Sequence, residues 1–309
     1  MPIRTIICAV DLSLQSDQAL DRAGALAKLR GAKLLIVNAQ ADDAPIANVA
    51  NDMLEQIGQV SAAMHAEVAR QLGQRLEAMR ARGVDAELVA LVGPPGEVIA
   101  QAATERQADL IVVGTHGLTG ISRFLLGSVA TAILRHAPCD VLVCRGTSGP
   151  SAFQRALVAT DFSAAAARAL RGAVELAAPD AAVDLVHAWQ LPAGSWGATL
   201  LGQARFPWST VRDAVLSAAR SQADQLVAAN ASLGRSLHVE LVQGPPASVI
   251  THTAERGGYD LIAIGTHGHR GFRRLLLGSV AESTIRHAPC SVLVAHGEHA
   301  GETEKFKKA

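Results

Sequence analysis

Aromatic residues are scarce in this 309-residue chain: three Trp, one Tyr and six Phe, 3% of the total. With half of the residues apolar and Ala, Leu and Val dominant, that composition argues against an all-β or a disordered chain and suits helices alternating with buried strands. Net charge is absent too. The 28 Lys and Arg balance 28 Asp and Glu, so no global field draws the protein to nucleic acid or to an anionic membrane. No apolar run approaches the length of a membrane span, and the opening "MPIRTIICAVDLS" enters a strand pattern without the build of a cleavable signal. The expected location is therefore the cytoplasm, with neither nucleic acid nor membrane as partner. Cysteines number four. Cys8 and Cys144 lie in strand-like runs, and Cys139 and Cys290 occupy equivalent places in the two halves, which reads as buried, reduced thiols rather than a disulfide framework.

What the chain does contain is a repeat. "GTHGLTGISRFLLGS" at 114–128 returns as "GTHGHRGFRRLLLGS" at 265–279, an offset of 151 that also maps Asp109 onto Asp260, Gly93 onto Gly244 and His136 onto His287. Between Asp109 and Val143 about 23 of 35 positions match their partners, far above chance for such a tract. Upstream, "ICAVDLS" corresponds to "LVATDFS", so that Asp11 aligns with Asp161 after a one-residue gap. Two domains are expected, residues 1–146 and 152–297, joined by the turn formers of "GTSGPSA" and followed by a flexible tail, 298–309. The length suits two domains, each large enough to bury a core.

Each half alternates strand and helix signals. In the first, "TIICAV", "KLLIVNA", "AELVALV", "DLIVVG" and "DVLVCR" are short Val/Ile/Leu-rich runs typical of strands buried on both faces. Helical stretches at 16–30, roughly 48–82, 96–106 and 128–136 separate them. The second half repeats the pattern with "RALVAT", "AVDLVHA", "LHVELV", "DLIAIG" and "SVLVAH". Such alternation predicts right-handed crossovers and a parallel sheet with helices on both faces. The halves differ at Leu191–Thr210, read as a longer packed loop at the sheet's edge, with all three Trp within or beside it.

Gly114 closes the fourth strand and Ser128 begins a helix, so the repeated stretch is a strand-to-helix loop. Gly114 and Gly117 are expected to permit positive φ and, lacking Cβ, to let backbone amides approach an anion. Gly127 and Ser128 are expected to present the free amides of a helix N-terminus, with Ser128 as its cap or a phosphate ligand. Arg123, repeated as Arg274, could add a cation, and His116 and His267 could touch a phosphate or brace the loop. No P-loop Lys is present, and the loop follows the fourth strand, not the first as in a dinucleotide fingerprint. The pairs His136-x2-Cys139 and His287-x2-Cys290 suggest zinc, but each falls where a helix ends at Ala-Pro, which favours structural punctuation; no metal ligands are assigned.

The Gly-x2-Gly-x9-Gly-Ser pattern after "DLIVVGTHG", with "LLGSVA" opening a helix and "APCDVLV" a fifth strand, resembles the ATP-binding branch of the universal stress protein family, twice in tandem. The resemblance implies an α/β fold of two doubly wound, Rossmann-like parallel sheets of strand order 3-2-1-4-5, with a ligand at the switch point between Asp11 and Gly114. It implies that Gly114, Gly117, Gly127 and Ser128, and in the second half Gly265, Gly268, Gly278 and Ser279, hold phosphates and ribose. Asp11 and Asp161 would meet the nucleoside, Ala39 and Ala188 would bracket adenine with their backbones, and the turns around Pro94 and Pro245 would close the far wall. The family's His before the adenine bracket is Asn38 in the first half and His187 in the second.

The implied ligand is ATP, with magnesium. The leading reading is a stress-response or signalling protein switched by nucleotide occupancy, with no catalytic residues assigned. An ATP-hydrolysing or adenylating enzyme, and a duplicated scaffold with relic loops, stay open. The apolar fifth strands need cover at a sheet edge, which suggests that the halves pair as an intramolecular pseudo-dimer; a homodimer of whole chains is also open.

Overall fold

The computed structural model describes residues 2–40, 51–115, 126–146, 152–191, 208–266 and 277–296. The chain forms two compact units that divide between Ala152 and Phe153.

In the first unit β1 (Thr5–Ala9), α1 (Leu14–Arg30), β2 (Lys33–Gln40), α2 (Asn51–Ala81), β3 (Ala86–Val92), α3 (Pro95–Glu105), β4 (Leu110–Gly114), α4 (Ser128–His136) and β5 (Asp140–Cys144) follow one another. The strand order is β3-β2-β1-β4-β5, and each of these pairings is parallel. Right-handed crossovers then place α1 and α2 on one face and α3 and α4 on the other. The side-chain contacts agree. Arg75 of α2 forms a two-pronged ion pair with Asp17 of α1, at 2.6 and 2.8 Å, whereas Gly96 of α3 lies directly against Ala132 of α4. Between the helix layers Ile6, Ile7, Leu34, Ile36, Ile111 and Leu142 are fully buried, as near-continuous apolar strands require.

The second unit repeats the plan with β6 (Phe153–Ala159), α5 (Ala164–Leu176), β7 (Ala177–Trp189), α6 (Trp208–Ala229), β8 (His238–Gln243), α7 (Pro246–Gly257), β9 (Leu261–Gly265), α8 (Ser279–His287) and β10 (Ser291–Ala295). Its order, β8-β7-β6-β9-β10, is again 3-2-1-4-5 and parallel. The strand expected at Ala182–Ala188 is longer than the sequence pattern suggests, 13 residues. In the first unit Gly31, at φ 63°, ends α1 in the left-handed conformation and turns the chain. The second has no glycine there, and α5 runs straight into β7. Arg235 ties down the added segment by donating to the Ala178 and Ala181 carbonyls at 2.6 and 2.7 Å. The excursion from Leu191 lies mostly outside the described residues, although Trp208 already opens α6.

Two repeated residues prove to be structural. Asp109 accepts the Arg4 and Thr5 amides at 2.8 and 3.0 Å, and Asp260 does the same for Gln154 and Arg155, so each carboxylate anchors the start of the strand beside it. His136 and His287 turn Nδ1 onto the carbonyls of Ala132 and Ser283, while Cys139 and Cys290 are buried. No cluster of three or more metal-ligating side chains occurs among the described residues. Burial pushes the Cys8 thiol well up, reinforced by Cys144, Asp17 and Asp21. Cys144 is pushed up to about 12, also by burial, against a small opposing effect of Arg22.

Candidate functional site

At the carboxyl end of each sheet, over the switch point between the first and fourth strands, lies a cavity. In the first unit it measures about 250 Å³ and is lined by Asp11, Ala39, Pro95, Gly114, Thr115, Gly127, Ser128, Val129 and Ala130, among others. In the second it measures about 760 Å³, with Asp161, Ala188, Pro246, Gly265, Thr266, Gly278, Ser279, Val280 and Ala281 in its wall. Of the residues expected to act together, Asp11, Ala39, Gly114, Gly127 and Ser128 do meet around one cavity, and Asp161, Ala188, Gly265, Gly278 and Ser279 around the other. Gly117, Arg123, Gly268 and Arg274, like His116 and His267, lie outside the described residues.

The acidic side starts from a local hydrogen-bond circuit. Asp11 Oδ1 accepts from the Ser13 amide at 3.0 Å and from Ser13 Oγ at 2.6 Å. Ser13 Oγ in turn caps α1 by accepting the Ser16 amide. In the second unit Asp161 Oδ1 accepts from the Ser163 amide, and Ser163 caps α5 through the Ala166 amide. Between the Asp and the Ser, Leu12 and Phe162 take positive φ, 66° and 64°, a conformation that costs a non-glycine residue about 1 kcal/mol or more. The same turn recurs at the same place in both copies, and the bonds from Ser13 and Ser163 hold the carboxylates at the cavity edge. Asp11 is thus both helix-end holder and cavity residue, and its Oδ2 has no hydrogen bond among the described residues.

The glycine side departs from expectation in three ways. Gly114 and Gly265 do not adopt positive φ. They are needed because the first turn of each unit's first helix, α1 or α5, passes over them: a Cβ on Gly114 would lie 3.1 Å from the Gln15 carbonyl carbon, and one on Gly265 2.8 Å from Ala165 Cβ. Nor is the Gly127 amide free. It donates to the Thr115 carbonyl at 2.8 Å, as Gly278 does to Thr266 at 2.9 Å, which closes the base of each loop. Finally, the N-cap is Gly127, or Gly278, and neither helix has a side-chain cap; Ser128 and Ser279 are the first helical residues.

These corrections sharpen the site. α1 and α5, which also point at the cavities, satisfy their own N-termini with Ser13 and Ser163. α4 and α8 do not, and the amides of Ser128, Val129 and Ala130, and of Ser279, Val280 and Ala281, are those that a helix leaves without an internal acceptor. They carry the positive end of the helix dipole into the cavity, the arrangement that receives an oxyanion. Thr115 and Thr266, buried and positioned identically, were not singled out from sequence, although the repeated "GTHG" held the signal.

The Asn38 substitution proves conservative in geometry. Its Nδ2 donates to the Val10 carbonyl at 2.8 Å, and His187 Nδ1 bonds the Thr160 carbonyl at 2.9 Å. Either side chain ties the end of the second strand to that of the first.

The universal stress protein family model matches residues 2–145 and again 152–296. A Staphylococcus haemolyticus protein named as a universal stress protein is 34% identical over 166 residues, 52% of this chain and 94% of its own length. A Staphylococcus aureus USA300 protein of the same designation is 36% identical over the same spans. The crystal structure of a universal stress protein from Archaeoglobus fulgidus superposes with a TM-score of 0.62 over 94% of this chain and 96% of its own, at 23% identity, a likeness of fold.

Proposed function

This chain belongs to the universal stress protein family, and from that premise we propose that each half binds an adenine nucleotide, ATP with magnesium, and that occupancy rather than turnover is its output in a stress response. The observation that carries the reading is the repeated pairing of an uncapped helix N-terminus with a fixed carboxylate across one cavity.

The donor set fits the ligand. Amides of Ser128 to Ala130, and of Ser279 to Ala281, would take phosphate oxygens, joined by Gly117, Arg123, Gly268 and Arg274 from the loops. Asp11 and Asp161, acceptors only, suit ribose hydroxyls. Ala39 and Ala188, which line the same cavities as Pro95 and Pro246, would give the base apolar surroundings. Magnesium is commonly held by one or two carboxylates and the phosphates themselves, a role open to Asp11 and Asp161 through water; bound there, it would neutralise phosphate charge. Neither loop carries a Lys.

Calorimetric titration of the nucleotide-stripped protein with ATP and magnesium tests the reading. Two ATP per chain are expected, and no binding up to millimolar ATP would overturn it. Metal-dependent phosphate release, lost on changing Asp11 and Asp161, would favour an enzyme instead.

A further inference from the structure

Three positions at the nucleoside end of the two cavities correspond through their backbone geometry. Leu12 and Phe162 share the positive φ. Asn38 and His187 make the same bond to the strand before them. Gln40 and Trp189 lend their carbonyls to the amides of Gly93 and Gly244, at 2.9 and 3.1 Å. At all three, the first half has an aliphatic or amide side chain and the second an aromatic ring, in a chain with few rings to place.

The consequence for the cavities is direct. Phe162 and His187 lie with ring centroids 4.5 Å apart, tilted by 35°, and His187 belongs to the wall of the second cavity. Because a carbonyl only accepts, His187 Nδ1 carries the proton toward Thr160, which pins the ring. Trp189 is buried. In the first half Asn38 is committed at both ends, donating to Val10 and accepting from Gln40 Nε2 at 3.3 Å. It is not part of that cavity's wall.

We infer that the two sites have different jobs: the second reads the base, through the His187 ring in its wall, which Phe162 packs against, while the first holds its nucleotide mainly by the phosphates. The inference rests on the nucleotide reading above. Stacking of a base on an aromatic side chain strengthens binding by a factor on the order of ten or more. The second half therefore keeps a resident purine nucleotide, and the first exchanges with the surrounding pool.

The test is a titration of the stripped full-length chain with ATP and magnesium, resolved into affinity classes. Two classes about tenfold apart are expected. Phe162→Leu with His187→Asn is expected to bring the tight class down to the weak one and leave the weak one in place. Leu12→Phe with Asn38→His is expected to tighten the weak class, a gain that damage to the fold cannot imitate and that decides the matter if the first variant fails to fold. Two sites of equal affinity, or a tight class untouched by its variant, would overturn this inference and leave the nucleotide reading standing. No binding at all would overturn both.

Discussion

Replacing Gly96 by alanine puts two opposing effects in competition, and their magnitudes decide the sign. Within a helix the change normally stabilises, by about 0.5–1 kcal/mol in the interior and by less in the first turn, where Gly96 sits, through lost freedom of the unfolded chain. Here the new Cβ would overlap Ala132 Cβ on α4 and lie 3.4 Å from the Val129 carbonyl oxygen. Neither neighbour can rotate away, so α3 and α4 must separate. Overpacking costs about 1–3 kcal/mol, and an overlap with atoms that cannot move aside belongs in the upper half of that range, which leaves a net destabilisation of about 1–2.5 kcal/mol. For a unit of this size that lowers the unfolding midpoint by several degrees, at about 2–4 °C per kcal/mol. Circular dichroism is the assay, since it follows both halves; Trp189, Trp196, Trp208 and Tyr259 all lie in the second, so fluorescence follows that half alone. Ala132→Gly in the same chain removes the overlap and is expected to restore part of the loss. The second half makes the comparison internally, because the 151-residue offset puts Ala247 and Ser283 at these positions. A Gly96→Ala midpoint at or above wild type would refute the packing argument.

Asn38→Ala leaves the Val10 carbonyl without its donor and is expected to cost about 1–3 kcal/mol in denaturant unfolding, whereas Asn38→His is expected to be tolerated, because His187 makes the same bond in the other half. The Tyr259 phenol is pushed up to about 12 by burial and then by its bond to Asp184, against Arg155. Its folded value lies above its ordinary one, so the stabilisation is complete below about pH 10 and is lost as pH rises through about 12. Phenolate absorbance of this single Tyr should show a midpoint near 12 in the folded protein, and a midpoint near 10 would contradict its burial together with its contact to Asp184.

The elements were legible because the interactions that make them are local. Val/Ile/Leu runs mark strands buried on both faces, Ser13 and Ser163 cap helices three residues away, and Ala-Pro stops α4 by driving Ala137 into extended backbone. Where a local signal was missing the reading fell short, as at Ala177, where no glycine breaks the chain between α5 and β7.

The duplication and the parallel α/β alternation follow from periodicity, repeat offset and crossover handedness, which are properties of the sequence; the meeting of Asp11 with Gly114 at one switch point was implied only by the family resemblance, because strand order is not written in local pattern. Which amides remain for a ligand is not written there either. The Gly127 amide is committed to Thr115 across the loop, Gly114 is required by Gln15 in the first turn of α1, and Asn38 does the work of the second half's His187 through a bond spanning 28 residues. The last two partners are brought together only when β1, β2 and β4 lie side by side with α1 packed over them, and the first only when the loop closes on itself, so only the folded chain could show that the Gly127 amide is withdrawn and that those from Ser128 to Ala130 remain.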